Sequence, residues 1–506
     1  MLTVSNGGTH DWANMPLDEM AVGNAMDCDF TLRSWRILRS EMRAKSLNFV
    51  YDNLLTDVAV LLSEVEFRGI DVNNKYLKQV EVDMQVAVEK QEKVLSNLSP
   101  LKDINPNSTE QLARALFSEE GYDLKPTEFS TKTKKPCITE SHLSSHLDSG
   151  TISDDARDFI QKLLKYKTLG KLYRTYVKGI EKAIEYNGDN RIYSSYNFGT
   201  TVTGRLSCSN YNAGAGANKG VSFHTLPRET DEASNIRKLM KSDDGKVFLA
   251  ADFSQAELRV LAQCCRDENL IEAFRSGQDL HRFTASLVFD KLPDQVTKQE
   301  RQIAKSVSFL IVYGGGPMKL SQQIGKRVGY CKSIFKAYQD AFPRVFKWIN
   351  FVHNFVRENG YAVSLFGRRR HLPNVNSPIS KYRFRALRQG MNFVIQSSAS
   401  DIMLHALKRL NDGIIESGMD VDILATVHDS VELQCDKSDL TKVIDIMRTA
   451  LPSTADLKTL YNLEFVVPFE VDIEVGKSFG EVIAAEFDSA GSLSNLDKIL
   501  EYVEST

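Results

Sequence analysis

The chain has 506 residues, too many for one hydrophobic core, so two or more domains are expected. An apolar fraction of 42% beside 25% charged residues excludes a disordered or fibrous chain. A net charge of −3 excludes a simple polycationic coat for nucleic acid, while leaving room for locally basic surfaces. The seven cysteines form no Cys-x-x-Cys pair and read as reduced thiols of a cytoplasmic protein. The first residues show no basic segment followed by an apolar run, so no secretion signal is expected, and no apolar stretch reaches the length of a membrane span.

Few signals precede Asp27, and an Arg-rich helix is expected from Phe30 to Ser46. A buried helix follows from Leu54, stopped by Gly69, with a short extended piece after it. Leu77, Val80, Met84, Ala87, Val94 and Leu98 fall near three-four spacing and predict a packing helix over 74–98, broken by Gln91. Residues 100–149 are polar and punctuated, which predicts loops and short helices. Between 161 and 182 lie Lys162, Lys165, Lys167, Lys171, Arg174, Lys178 and Lys182, with Tyr166, Tyr173 and Tyr176 among them. Such a stretch suits a phosphate backbone, but taken alone it reads as a solvated helix face. Strands and helices then mix: a buried strand over 246–252, a helix over 255–265, mostly helix over 291–360, and two strands over 422–435 reversing at His428-Asp429. No repeat or low-complexity tract is present.

Three separated stretches carry the chemistry. Asp252 follows the apolar run Val247–Ala251, and taken alone it reads as a helix cap rather than a metal ligand. Asp429 sits between two runs of alternating polarity, and His428-Asp429 is a poor pair for a tight hairpin. Two carboxylates of this kind could hold two divalent ions roughly 3.5–4 Å apart, with the carbonyl of Phe253 as a further oxygen donor.

Arg301, Lys305, Phe309 and Tyr313 recur every four residues. They form a stripe roughly 18 Å long that winds slowly around a helix. Cations at one end suit phosphates and rings at the other suit a base. An amphipathic helix with its rings in the core would read the same way. Gly314-Gly315-Gly316-Pro317 ends this helix and is not a phosphate-cradling Walker loop, since no Gly-Lys-Ser/Thr follows.

In order and wording these stretches resemble motifs A, B and C of the family A (polymerase I-like) DNA polymerases, and the likeness runs over about residues 50 to 480. Thr203-Gly204-Arg205-Leu206-Ser207, Ile236-Arg237, Asp279-Leu280-His281, Phe366-Gly367-Arg368-Arg369-Arg370, Leu372-Pro373 and Val475-Gly476 are similar to further segments of the family.

The resemblance implies an α+β right-hand fold, with an antiparallel palm sheet and helical thumb and fingers. The expected segments are a remnant of the C-terminal part of a 3′–5′ exonuclease-like domain over 1–47, a palm-edge helix and the thumb over 48–190, palm over 191–265, fingers over 266–390 and palm again over 391–506. In that reading the basic stretch with its tyrosines grips DNA.

The resemblance also implies roles. Asp252, Phe253 and Asp429 would bind two magnesium ions, with manganese as the alternative. Arg301 and Lys305 would neutralise a triphosphate, and Lys305 would protonate the leaving pyrophosphate. Gln255 and His281 would lie near the phosphates, Phe309 on the sugar and Tyr313 beside the base. Glu257 would block a ribose 2′-hydroxyl. Arg205, Arg388, Asn392, Gln396 and His428 would touch primer and template.

Three departures stand out. Ser430 follows Asp429 where many members have Glu, so a third acid is missing from that position. Ser308 and Leu310 replace an Asn and a Gly. Gly23-Asn24-Ala25-Met26-Asp27-Cys28-Asp29 is similar to the last motif of a 3′–5′ exonuclease domain, without the earlier ones.

The expected activity is therefore template-directed DNA synthesis on a primer 3′-end, in replication or repair. Its partners would be primer-template DNA and deoxynucleotides, with an exonuclease chain or processivity factor alongside and no membrane. A phage source is expected, hence action in a host cytoplasm. The alternatives are a single-subunit RNA polymerase, against which Glu257 argues, and a non-catalytic DNA-binding accessory, against which the full set of charged site residues argues.

Overall fold

The computed structural model describes residues 16–101, 104–130, 133–148, 152–210, 221–226 and 231–504. The chain divides into two compact units. One is mainly helical and comprises Met1–Leu61, Gln255–Lys408 and Thr454–Pro468. The other carries the main sheet and comprises Leu62–Ser254, Arg409–Ser453 and Phe469–Thr506.

Twelve strands form among the described residues. They are β1 Ile70–Val72, β2 Arg191–Ile192, β3 Ser194–Asn197, β4 Ser207–Asn210, β5 Met240–Lys241 and β6 Lys246–Phe253, then β7 Tyr361–Val363, β8 Arg369–His371, β9 Val421–Val427, β10 Ser430–Asp436, β11 Val471–Ser478 and β12 Glu481–Ala484. Eight make an antiparallel sheet in the order β2-β1-β5-β11-β6-β10-β9, with β12 on β11. β3–β4 and β7–β8 are separate hairpins. The fold is thus α+β with an antiparallel sheet, as the sequence led us to expect.

In the sheet unit the helix Asn74–Leu98 starts at Asn73, whose Oδ1 accepts from Tyr76 N at 3.0 Å. Leu77, Val80 and Met84 join Ile70, Ile180, Met240 and Phe248 in one core cluster. Gln91 does not break the buried stripe but belongs to it: it is buried, and its amide donates to the Lys162 carbonyl at 3.1 Å. Pairing with a backbone carbonyl removes the cost of burying the amide. Gly69 has φ +63°, and a Cβ there would meet the Tyr193 ring at 2.7 Å, so both the stop and the close approach require glycine.

The basic stretch differs from its expected form. Tyr166 is 2% exposed and lies in the core with Phe159 and Leu163, and Tyr176 is buried in the cluster beneath the sheet. These rings hold helices together and are not a stacking surface for DNA. Lys178 is bound by Glu81 and Glu181, and Lys167 donates to the Ile138 carbonyl at 2.9 Å. Lys165, Lys171, Arg174 and Lys182 remain exposed.

The N-terminal expectation also shifts. The helix runs over Leu17–Ala44 and takes in the whole Gly23–Asp29 segment; Asp18 and Glu19 in its first turn suit the positive end of the helix. None of its residues is buried. The part of the 1–47 segment before residue 16 lies outside the described residues.

In the helical unit, Val352, Val356, Leu372, Met391 and Phe393 form a core. Arg368 pairs with the fully buried Asp401 at 2.7 Å, tying the β7–β8 hairpin to the helix Ser380–Ser417. All seven cysteines are free thiols, and no helix among the described residues is long and apolar enough to cross a membrane.

Candidate active site

Asp252 is no helix cap. It lies inside β6, and the next helix, Ala256–Cys265, is capped at Gln255. Ala251 and Phe253 are buried on one face of β6, while Asp252 on the other face is exposed. Ser430 is its register partner on β10, and Asp472 on β11. The Phe253 N–H donates to the Asp429 carbonyl at 3.0 Å, so the ladder extends into the hairpin tip and brings Asp252, Phe253 and Asp429 together.

The tip itself is two residues long. His428 has φ +61°, a left-handed backbone for which glycine would be the ordinary choice. Two contacts hold it. His428 Nε2 donates to the His224 carbonyl at 3.0 Å, and the two imidazoles lie 4.8 Å apart. His224 in turn bonds the Thr426 carbonyl at 3.1 Å. Burial, then the neighbouring His428, push His224 down to about 4, so it is neutral at pH 7. The sequence reading missed His224; its nearest signal is the apolar trio Val221, Phe223 and Leu226 around it. Arg205 follows a turn closed by Gly204 N–H on Thr201 O, and its guanidinium stands 3.7 Å from Asp429 Oδ1.

The helical unit carries the cationic stripe. The helix Lys298–Val312 opens on a capping box between Thr297 and Glu300. Ile303, Ala304, Val307, Leu310 and Ile311 are buried. Arg301, Lys305, Phe309 and Tyr313 are not, and Tyr313 is 42% exposed. The two rings therefore share the open face with the cations, which excludes the reading that places them in the core.

Asp279 caps the helix Leu280–Phe289 with one oxygen, accepting from Arg282 N, and holds Arg301 Nε at 2.7 Å with the other. His281 is buried beside Phe309, with ring centres 5.9 Å apart, and its Nδ1 has no partner. Burial, with Arg301 adding, pushes His281 down to about 4.

Gln255 is left-handed at φ +55°, and its Oε1 is buried without a hydrogen-bond partner. Glu257 is 6% exposed. From Gly390 to Leu407 every residue is buried except Asn392 and Gln396, which with the exposed Arg388 make one outward row. A Cβ at Gly314 would fall 2.7 Å from Arg388 Cγ, so this glycine leaves the channel in which the Arg388 chain runs.

The unusual residues of this helix have local partners. Leu310 packs where a Cβ at Gly315 would stand, and Gly315 N–H donates to the Leu310 carbonyl at 2.7 Å. Ser308 donates to the Ala304 carbonyl at 2.9 Å within its own helix.

Among the described residues no three His, Cys, Asp or Glu are arranged to hold a metal ion. Asp252 and Asp429 offer two hard carboxylates on an exposed edge. That suits magnesium, which binds through one or two carboxylates together with substrate phosphates and water, and not through a cage made by the protein alone.

With this geometry, comparison with known proteins is consistent. The profile of DNA polymerase family A matches residues 74–481, and the chain belongs to that family. It is 28% identical over 475 residues to DNA polymerase I of Borreliella burgdorferi, covering 93% of this chain and 48% of that protein. It is 31% identical over 413 residues to DNA polymerase I of Streptococcus pneumoniae, covering 81% and 44%. The chain spans about half the length of the curated relatives it matches. Among solved structures it is similar to the POL domain of Pol1 from M. smegmatis in complex with DNA primer-template and dNTP, with TM-score 0.76 and 28% identity, over 88% of this chain and 73% of that one.

Proposed function

We propose that the chain is a template-directed DNA polymerase that adds deoxynucleotides to a primer 3′-end. The observation that carries this reading is the Phe253 N–H bond to the Asp429 carbonyl, which joins the two acidic motifs at the ends of two central strands. Asp252 and Asp429, with the Phe253 carbonyl, would hold two magnesium ions, manganese being the alternative. Bound there, such ions supply charge neutralisation and activation of the primer hydroxyl.

The chain's own residues divide the remaining work. Arg301, positioned by Asp279, and Lys305 neutralise the triphosphate, and Lys305 Nζ gives a proton to the leaving pyrophosphate. His281, neutral at pH 7, and Gln255 hydrogen-bond to phosphate or to water on it. Phe309 packs on the sugar and Tyr313 beside the base. Glu257, buried at the start of its helix, excludes a 2′-hydroxyl. Arg205, His428, Arg388, Asn392 and Gln396 contact primer and template, and Lys165, Lys171, Arg174 and Lys182 the duplex backbone. A separate proofreading nuclease is the further partner suggested by the Gly23–Asp29 resemblance, with a processivity factor as a second partner class.

Primer extension on a defined template with magnesium tests the reading. The parent should extend with deoxynucleotides in template order. Asp429→Ala should lose at least roughly a thousandfold in rate, as removal of a charge-stabilising group does. An Asp429→Ala protein that extends like the parent would end the metal assignment, and a preference for ribonucleotides would favour the RNA polymerase reading.

A further inference from the structure

Ser430 follows Asp429 directly and is the register partner of Asp252. Side chains two apart on a strand share a face, so Glu432 stands on the same face one row further in, opposite Ala250. Glu432 is 2% exposed, whereas Asp472 and Glu474, in the same two rows on β11, are exposed.

The Ser430 hydroxyl lies 2.7 Å from Glu432 Oε1 and 3.0 Å from the Val427 carbonyl. It has one proton to donate, and the closer acceptor, Glu432 Oε1, takes it. The lone pairs of Ser430 Oγ are then left to accept. The Thr426 hydroxyl donates to the Ser430 carbonyl at 3.0 Å and fixes the backbone under it. Burying a carboxyl costs free energy that an apolar side chain on this strand would not. The cost is met in part by a contact one row from Asp252.

We propose that Glu432 is a positioning residue for the metal-binding strand ends: it orients the Ser430 hydroxyl as an oxygen acceptor in the row of Asp252. The acid absent from position 430 is thereby supplied from position 432 through a hydroxyl. The inference rests on the reading that Asp252 and Asp429 hold divalent ions.

The test is Mn2+ binding, read by electron paramagnetic resonance on the protein with primer-template and a non-hydrolysable deoxynucleotide, beside thermal melting of each variant. Glu432→Gln and Ser430→Ala should each weaken Mn2+ by about ten- to a hundredfold, the usual effect of losing a group that orients a metal ligand. The double variant should be no weaker than the worse single one, because the two act in series. Mn2+ affinity equal to the parent in Ser430→Ala, or in a folded Glu432→Gln that only melts lower, overturns the proposal, as does simple additivity. Should Glu432→Gln fail to fold, Ser430→Ala decides alone. If Asp429→Ala itself binds Mn2+ like the parent, the metal reading fails and the Ser430–Glu432 pair is not at fault.

Discussion

Arg205 Nη2 stands 3.7 Å from Asp429 Oδ1, so a cation expected on primer-template DNA is paired with a carboxylate expected on a metal ion. Both side chains are about a third exposed, so this pair is weak and phosphate can compete for the arginine. Removing the carboxylate also removes repulsion toward the DNA backbone. Asp429→Ala should therefore bind primer-template about two- to tenfold more tightly at low salt while losing extension. Fluorescence anisotropy across a salt series checks this, and binding weaker than the parent would count against the pairing.

Leu310 and Gly315 form a size-matched pair, because the leucine occupies the place of a Cβ at 315. Gly315→Ala should cost about 1–3 kcal/mol through overpacking. Leu310→Ala should cost about 2–4 kcal/mol through the cavity it leaves. Together they should cost less than the two added, by about 1 kcal/mol or more, since the smaller residue makes room for the new methyl. Urea unfolding of the four proteins measures the coupling, and zero coupling would refute the packing argument.

Glu257 is buried in the first turn of a helix that starts from the left-handed Gln255, so its side chain has little freedom to withdraw. Glu257→Ala should raise ribonucleotide incorporation roughly ten- to a hundredfold, with deoxynucleotide incorporation changed far less. Competition between the two sugars in single-turnover extension gives the ratio, and an unchanged ratio removes the steric role.

The strands were legible, the one before Asp252 as an unbroken apolar run and those around Asp429 by alternating polarity, but Asp252 itself read as a helix cap, because nothing local shows that the strand continues through Phe253. The stripe Arg301–Tyr313 was legible as a helix face, yet which side of it was open needed the packing of Ile303, Val307 and Ile311. Tyr176 misled because it lies in a π-helical turn at Leu172–Val177, which shifts the phase of the face it stands on, while Tyr166, in the α-helix before that turn, is covered by Phe159 and Leu163 on the buried side of its own helix. Gln91 misled because its partner, the Lys162 carbonyl, is 71 residues away. His224 and Glu432 were invisible for a related reason. His224 is tied to His428 across 204 residues, and Glu432 reads as an ordinary strand residue until its burial is known.

His224 and His281 give the protein an acid-labile component that can be located. Each has a folded-state value of about 4, against an ordinary histidine value near 6.5. Between those values the unfolded chain binds protons that the folded chain does not, so stability rises with pH through the window. Their contribution is complete above about pH 6.5 and is lost as pH falls toward 4, roughly 2 kcal/mol for each after allowance for solvent screening. His281 faces Arg301 and Lys305, which disfavour its charged form, while Asp279 favours it. Ordinary carboxylates titrate mostly below this window, so the slope between pH 6.5 and 5 reports the histidines. Urea unfolding at pH 7.5, 6 and 5 should show the parent losing stability faster than His281→Gln or His224→Gln. If each glutamine variant keeps the full slope of the parent, these two imidazoles are not the groups that take up the protons.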